Sequence, residues 1–330
     1  MDADMRRRDF LGVLGCAAVT VPLGVQVQAQ EAGRKYRIAA LVPQPRDSPS
    51  YVALFGEIQK FGFVEGKNLT IDSRSYGQQI ELLARYADEL FATPADVILA
   101  AGDLAIRAAQ QATKTIPILA LTDDLLAAGF VASLAKPGGN TTGVSLMASD
   151  LDGKRQEILI EAVPGLRRMA VLADTNTTPP RQLQALEDAA RARGLELAIQ
   201  RVSKSGEIAS ALAAVQSSGA GALNVLASPL LFASRDMIIE RAAAMRMPAI
   251  YQWPEMAEEG GFIGYGPRIV QLYREMMSRQ LVQLLRGTKP SDLPVEQPTK
   301  FEFLINMKTA NALGLPVSRS MQLLADRVIE

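Results

Sequence analysis

Asp103, Asp123, Asp124 and Asp174 each stand where a short apolar run gives way to a polar loop or a helical stretch. A carboxylate in such a place can serve as acid or base, pair with an ammonium group, or cap a helix. Acid–base or nucleophilic chemistry needs partners that this chain lacks. It contains no histidine, which removes Ser-His-Asp and Cys-His nucleophiles, histidine-ligated zinc and histidine proton shuttles. Its only cysteine is Cys16, and no specific cluster of carboxylates and lysines takes over. These residues predict a protein that binds without transforming: not an enzyme, with no cofactor and no metal. The competing reading is an enzyme using Asp123, Asp124 or Asp174 as acid and base, which turnover of the bound molecule would mark.

A second set of residues could hold a small molecule. Tyr251, Trp253 and Tyr265 fall at expected strand ends and offer aromatic faces, worth about 0.5–1.5 kcal/mol beyond burial when a ring stacks on them. Asp47-Ser48-Pro49-Ser50 carries the cap residue and early proline of a helix start, which can leave N–H groups for an anion. Plain capping is the alternative for this segment, and packing at a lobe edge the alternative for Trp253. Gln44, Gly102, Leu104, Thr122, Asn176 and Ser228 complete the candidates. Arg46 and Arg235 are weighed as carboxylate forks against solvated surface residues.

These loops converge only if the elements behind them are ordered strand, helix, strand. The apolar periodicity predicts that order. Strands are expected over 36–42, 68–73, 97–101, 117–121 and 142–146, with helices over 48–61, 79–91, 103–112 and 125–134 between them. The alternation restarts with helices over 154–163, 181–193, 207–217 and 231–245 and strands over 169–173, 195–202, 222–226 and 248–251. Such a pattern gives parallel sheets covered on both faces, with ligands beyond the carboxyl ends of the strands. The tail breaks the alternation: a strand over 260–265, a long helix over 270–285, a polar segment over 287–298, a strand over 301–305 and a short helix over 309–313. A tail of this kind could recross between two lobes and tie them together.

The N-terminus indicates where the protein works. Met5-Arg6-Arg7-Arg8-Asp9-Phe10-Leu11 precedes an apolar run over 12–25, and Val27-Gln28-Ala29 offers small residues for a signal peptidase. This is an export signal of the twin-arginine kind, expected to be cleaved after Ala29 and to deliver a periplasmic protein without cysteine. The run is broken by Pro22 and falls short of the about 20 residues a spanning helix needs. Lipidation through Cys16 is the lesser alternative. The 35 basic and 35 acidic residues balance, and no basic stripe points to nucleic acid. An apolar share of 48% supports real cores, and a mature chain of about 300 residues favours two lobes.

Several stretches resemble a known family: Phe61-Gly62-Phe63-Val64-Glu65-Gly66-Lys67-Asn68, Gly129-Phe130-Val131-Ala132-Ser133-Leu134-Ala135-Lys136-Pro137-Gly138-Gly139-Asn140, Gly264-Tyr265-Gly266-Pro267, Lys289-Pro290-Ser291-Asp292-Leu293-Pro294-Val295-Glu296-Gln297-Pro298-Thr299-Lys300-Phe301 and Asn306-Met307-Lys308-Thr309-Ala310. They are similar to the substrate-binding proteins of ATP-driven (ABC) uptake systems, the family that includes tryptophan and tyrosine binders. The resemblance implies an α/β type I periplasmic-binding-protein fold: two doubly wound parallel-sheet lobes with crossings near Leu146, Tyr265 and Glu302. The lobes would then comprise 36–146 plus 266–298 and 147–265 plus 299–330, after a signal over 1–29. It implies a monomer that captures a small molecule, an amino acid and possibly an aromatic one, and passes it to an ABC permease in the inner membrane. A sensory protein serving a membrane signalling partner is the alternative. Asp103 and Asp124 depart from the small or hydroxyl residue and the Asp-Pro usual in the family, while Asp123 keeps the matching acid and is the expected partner of the ligand's amine.

Overall fold

The computed structural model describes residues 33–77 and 79–330. The expected export signal, with Cys16, lies outside the described residues.

Two sheets carry the architecture. The first is built from Tyr36–Val42 (β1), Leu69–Ser75 (β2), Val97–Ala101 (β3), Ile118–Thr122 (β4) and Thr141–Ser145 (β5), all parallel in the order β2-β1-β3-β4-β5. Pro49–Lys60 (α1), Leu83–Phe91 (α2) and Asp103–Ala112 (α3) connect its strands. β3, β4 and β5 are buried at every position, which is why they read as unbroken apolar runs or small residues rather than as alternation.

The second half runs Asp152–Ala162 (α4), Arg168–Asp174 (β6), Pro180–Ala192 (α5), Glu196–Val202 (β7), Ile208–Ser217 (α6), Leu223–Val225 (β8), Pro229–Ala233 (α7), Arg235–Ala244 (α8), Ala249–Tyr251 (β9), Pro254–Glu258 (α9) and Ile263–Gly266 (β10). The tail follows as Ile269–Leu272 (α10), a π-helical turn over Tyr273–Met277, Ser278–Leu285 (α11), Glu302–Asn306 (β11), Met307–Leu313 (α12), Arg319–Leu324 (α13) and Arg327–Ile329 (β12). Its seven strands are ordered β12-β11-β10-β9-β8-β6-β7, parallel except where β10 meets β11.

The chain passes from the first sheet to the second after Ser145 and leaves the second after Gly266. It then packs α10, the π turn and α11 against α1, lays Glu296 beside Val144 of β5, and re-enters the second sheet at Glu302. One apolar cluster therefore runs through both halves, from Ile38 and Leu99 through Tyr273 and Leu281 to Leu223 and Tyr251.

Some expected elements differ. The segment 125–134 is not a helix. Its amides close one turn, with Ala128 N–H on the Asp124 carbonyl and Phe130 N–H on the Leu125 carbonyl, and Gly129 at φ 74° reverses the chain. The helix expected over 231–245 is two, α7 and α8, broken at Ser234, whose ψ of 9° leaves the helical range. It also begins earlier, because Ser228 accepts the Leu231 N–H at 3.2 Å as an N-cap. α9, α13 and β12 were not foreseen. They are short, and tertiary packing rather than periodicity specifies them.

Candidate functional site

The carboxyl ends of both sheets face a common cavity of about 730 Å³. Its lining comes from the loops after β1, β3, β4, β6, β8 and β9, from the first passage between the sheets (Leu146, Met147, Ala148, Ser149 and Asp150), and from Ile269 and Tyr273 of the tail. This is the position that open parallel sheets reserve for ligands.

One wall is acidic. Asp103, Asp123, Asp124 and Asp150 line it. Thr122 donates its hydroxyl to Asp103. Asp123 accepts the Ser149 N–H at 3.0 Å and so fastens the first passage to β4. Asp124 accepts the Leu126 and Ala127 amides at 2.9 and 3.0 Å, capping the turn that follows. Partial burial, and then the charges of Asp123 and Asp124, raise the Asp150 carboxyl above the ordinary range. Gly102, at φ 88°, lets β3 turn into α3 here. A Cβ on it would come within 2.6 Å of the Tyr76 hydroxyl, which donates to the Ala101 carbonyl at 2.7 Å.

The facing wall is rich in hydroxyls and amides: Thr175, Asn176, Thr177, Thr178, Ser228 and Gln252, with Arg181 and Gln182 from the first turn of α5. Asp174 stands behind it, 2% exposed. It accepts the Asn176 backbone and side-chain N–H at 2.9 and 2.8 Å and the Ser228 hydroxyl at 2.7 Å. Gln252 and Ser228 bind reciprocally, Ser228 N–H to Gln252 Oε1 at 2.9 Å and Gln252 Nε2 to the Ser228 carbonyl at 3.2 Å.

An aromatic corner completes the site. Phe232 and Trp253 meet edge to face at 6.1 Å, and the buried Trp253 Nε1 has no hydrogen-bond partner. Gly266 permits this placement, since a Cβ there would lie 2.1 Å from the Gln252 carbonyl oxygen. Tyr273 lines the cavity from the π turn, a local geometry common at functional sites. Its hydroxyl lies 3.2 Å from that of Tyr51 on α1, and burial pushes it up to about 12.

Of the residues singled out by sequence, the cavity brings together Gln44, Gly102, Asp103, Thr122, Asp123, Asp124, Asn176, Ser228 and Trp253. The others lie elsewhere. Asp47 and Ser48 begin α1 outside the lining, and the buried Ser48 hydroxyl makes no cap bond. Leu104 lines a different groove beside α2. Asp174 supports the wall from behind. Tyr251 is a core residue at 1% exposure, and Tyr265 packs its ring on Phe303 at 6.4 Å, because both side chains emerge on sheet faces rather than at strand ends. Arg46 pairs with Glu65 and Arg235 with Glu259.

Asp150, Arg181, Gln182, Phe232 and Tyr273 were missed. Arg181 and Gln182 could have been found by carrying the strand-end loop into the first turn of the next helix, which Pro179-Pro180 announces. Tyr273 had no local signal, since only the returning tail brings it to the cavity.

Two sheets joined by recrossing segments and facing one cavity at their strand ends define a two-lobed α/β binding protein of the type I periplasmic class. The chain belongs to the ABC transporter substrate binding protein family, whose model matches residues 38–329. That makes it a solute-binding protein and not an enzyme, in a family that is typically exported. Among the described residues no helix is long and apolar enough to cross a membrane.

The chain is 27% identical over 284 residues to the tyrosine-binding protein of Clostridioides difficile strain R20291, covering 84% of this chain and 80% of that one. Its fold is similar to a domain of Streptococcus pneumoniae solved in complex with L-Trp (TM-score 0.76, 24% identity, 89% of this chain and 100% of that chain). It is also similar to a conserved domain protein of Vibrio cholerae (TM-score 0.79, 21% identity, 89% and 100%).

Proposed function

We propose that this protein is the periplasmic, monomeric receptor of an ABC uptake system, that it captures an aromatic amino acid in the cavity between its sheets, and that it hands the solute to an inner-membrane permease. One observation carries the reading: a single cavity sets four aspartates opposite hydroxyls and amides, with Trp253, Phe232 and Tyr273 at one corner. An ammonium group suits the aspartates, with Asp123 its expected partner. A carboxylate suits the facing wall, where the N-terminus of α5 and Arg181 favour negative charge. A flat ring suits the aromatic corner.

The tyrosine-binding relative and the L-Trp complex point to the same class of ligand, and the arginine-led N-terminus supports export. A ligand that touches both walls only when they approach shifts the protein towards its shut form without any chemistry. Micromolar affinity corresponds to about 8 kcal/mol of net binding energy.

A thermal-shift screen of the purified protein against the twenty amino acids and aromatic acids lacking an amine tests the reading. L-tyrosine, L-tryptophan or L-phenylalanine is expected to raise the melting temperature. A rise with the amine-free acids alone would sink the role given to Asp123.

A further inference from the structure

One ion pair lies between the cavity and two of the passages that join the sheets. Asp152 and Arg155 stand one turn apart on α4 and are 1% and 0% exposed. Arg155 Nη1 donates to the Tyr265 carbonyl at 3.0 Å, at the end of β10 where the chain leaves the second sheet. Arg155 Nη2 donates to the Ala148 carbonyl and to Asp152 Oδ1, and Ala148 belongs to the first passage. One guanidinium thus holds the backbone of both passages.

Asp152 is gripped in turn from the cavity side. Its Oδ2 accepts from Gln182 Nε2. Gln182 itself lines the cavity. A fully buried ion pair is a poor source of stability, because desolvation offsets the attraction and apolar replacements often do as well. Its position at this junction therefore calls for a different account.

We propose that Asp152 and Arg155 are positioning residues that relay contact at the cavity wall, through Gln182, to the backbone of the two passages, and so set how readily the two halves close. Only the last link rests on the solute-binding reading. The hydrogen bonds that form the relay do not depend on which ligand binds.

Hydrogen exchange on the ligand-free full-length protein tests the relay directly. Gln182→Leu, which leaves the ion pair intact, and Asp152→Asn are expected to speed amide exchange about tenfold in residues 146–150 and 265–269, with β3 and β4 unchanged. An effect of Gln182→Leu confined to α5 would overturn the proposal, whether or not Asp152→Asn folds. Calorimetry with L-tyrosine adds a second arm. Each single variant is expected to bind about tenfold more weakly and the double variant no more weakly than Asp152→Asn, since the two act in series. Losses that multiply would also overturn the relay. If the wild-type protein binds no L-tyrosine, the proposed ligand fails, and the exchange result still decides the relay.

Discussion

Asp174 accepts the Ser228 hydroxyl at 2.7 Å, which ties the end of β6 to the loop after β8 beneath one wall of the cavity. The same carboxylate orders Asn176 through two further hydrogen bonds. Asp174 thus shapes the wall without lining it. Hydrogen bonds to a buried charge contribute roughly 1.5–3 kcal/mol each. Asp174→Ala is expected to destabilise the protein by about 2–4 kcal/mol in urea unfolding and to weaken solute binding more than Ser228→Ala does, because it frees both Ser228 and Asn176.

Trp253 is the only tryptophan in the chain and lines the cavity, so its emission reports on the site alone. Excitation at wavelengths that spare tyrosine is expected to show a saturable change with L-tyrosine. Trp253→Ala should weaken binding by about two- to tenfold, the range of an aromatic contact. Equal affinity in the variant would place the ligand away from this corner.

Asp150 gives a pH prediction with a defined sign. Its carboxyl is raised by partial burial and by Asp123 and Asp124. A raised carboxyl contributes stability that is fully present below the ordinary aspartate range and is lost as pH rises through the folded value. Asp150→Asn is therefore expected to raise the melting temperature at neutral pH, by less than about 2 °C, with the difference vanishing in acid. An ammonium-bearing ligand reverses the balance by favouring the charged form. Its affinity in titration calorimetry should fall as pH is lowered through the carboxylate range.

Gly102 is the conformational pivot of the acidic wall. Replacement by alanine combines φ 88° with a Cβ within 2.6 Å of the Tyr76 hydroxyl. A cost of about 1–3 kcal/mol in the urea midpoint is expected, along with weaker binding as Asp103 is displaced.

The legible part of this fold is the part specified locally. β3 and α3 can be read to the residue because five apolar positions, a glycine and an amphipathic stretch follow one another over 97–112. The strand-end rule then places Gln44, Asp103, Asp123, Asn176 and Ser228 at the cavity with no further information. It fails for Tyr251 and Tyr265, since it does not tell a side chain on a sheet face from one at a strand end. The stretch 125–134 looked helical until Gly129 ended its first turn. Tyr273 and the Asp152–Arg155 pair were out of reach for a deeper reason. The first meets the cavity only through the returning tail, and the second gains its meaning from Tyr265, 110 residues away along the chain.

On the function proposed, the acidic wall binds the amine of an aromatic amino acid. Calorimetry comparing L-tyrosine with the same molecule lacking its amine, on wild-type protein and on Asp123→Asn, tests this most directly. Losing the amine, or the Asp123 charge, is expected to weaken binding by about a hundredfold, the scale of one broken buried charge pair. Equal or tighter binding of the amine-free acid would contradict it.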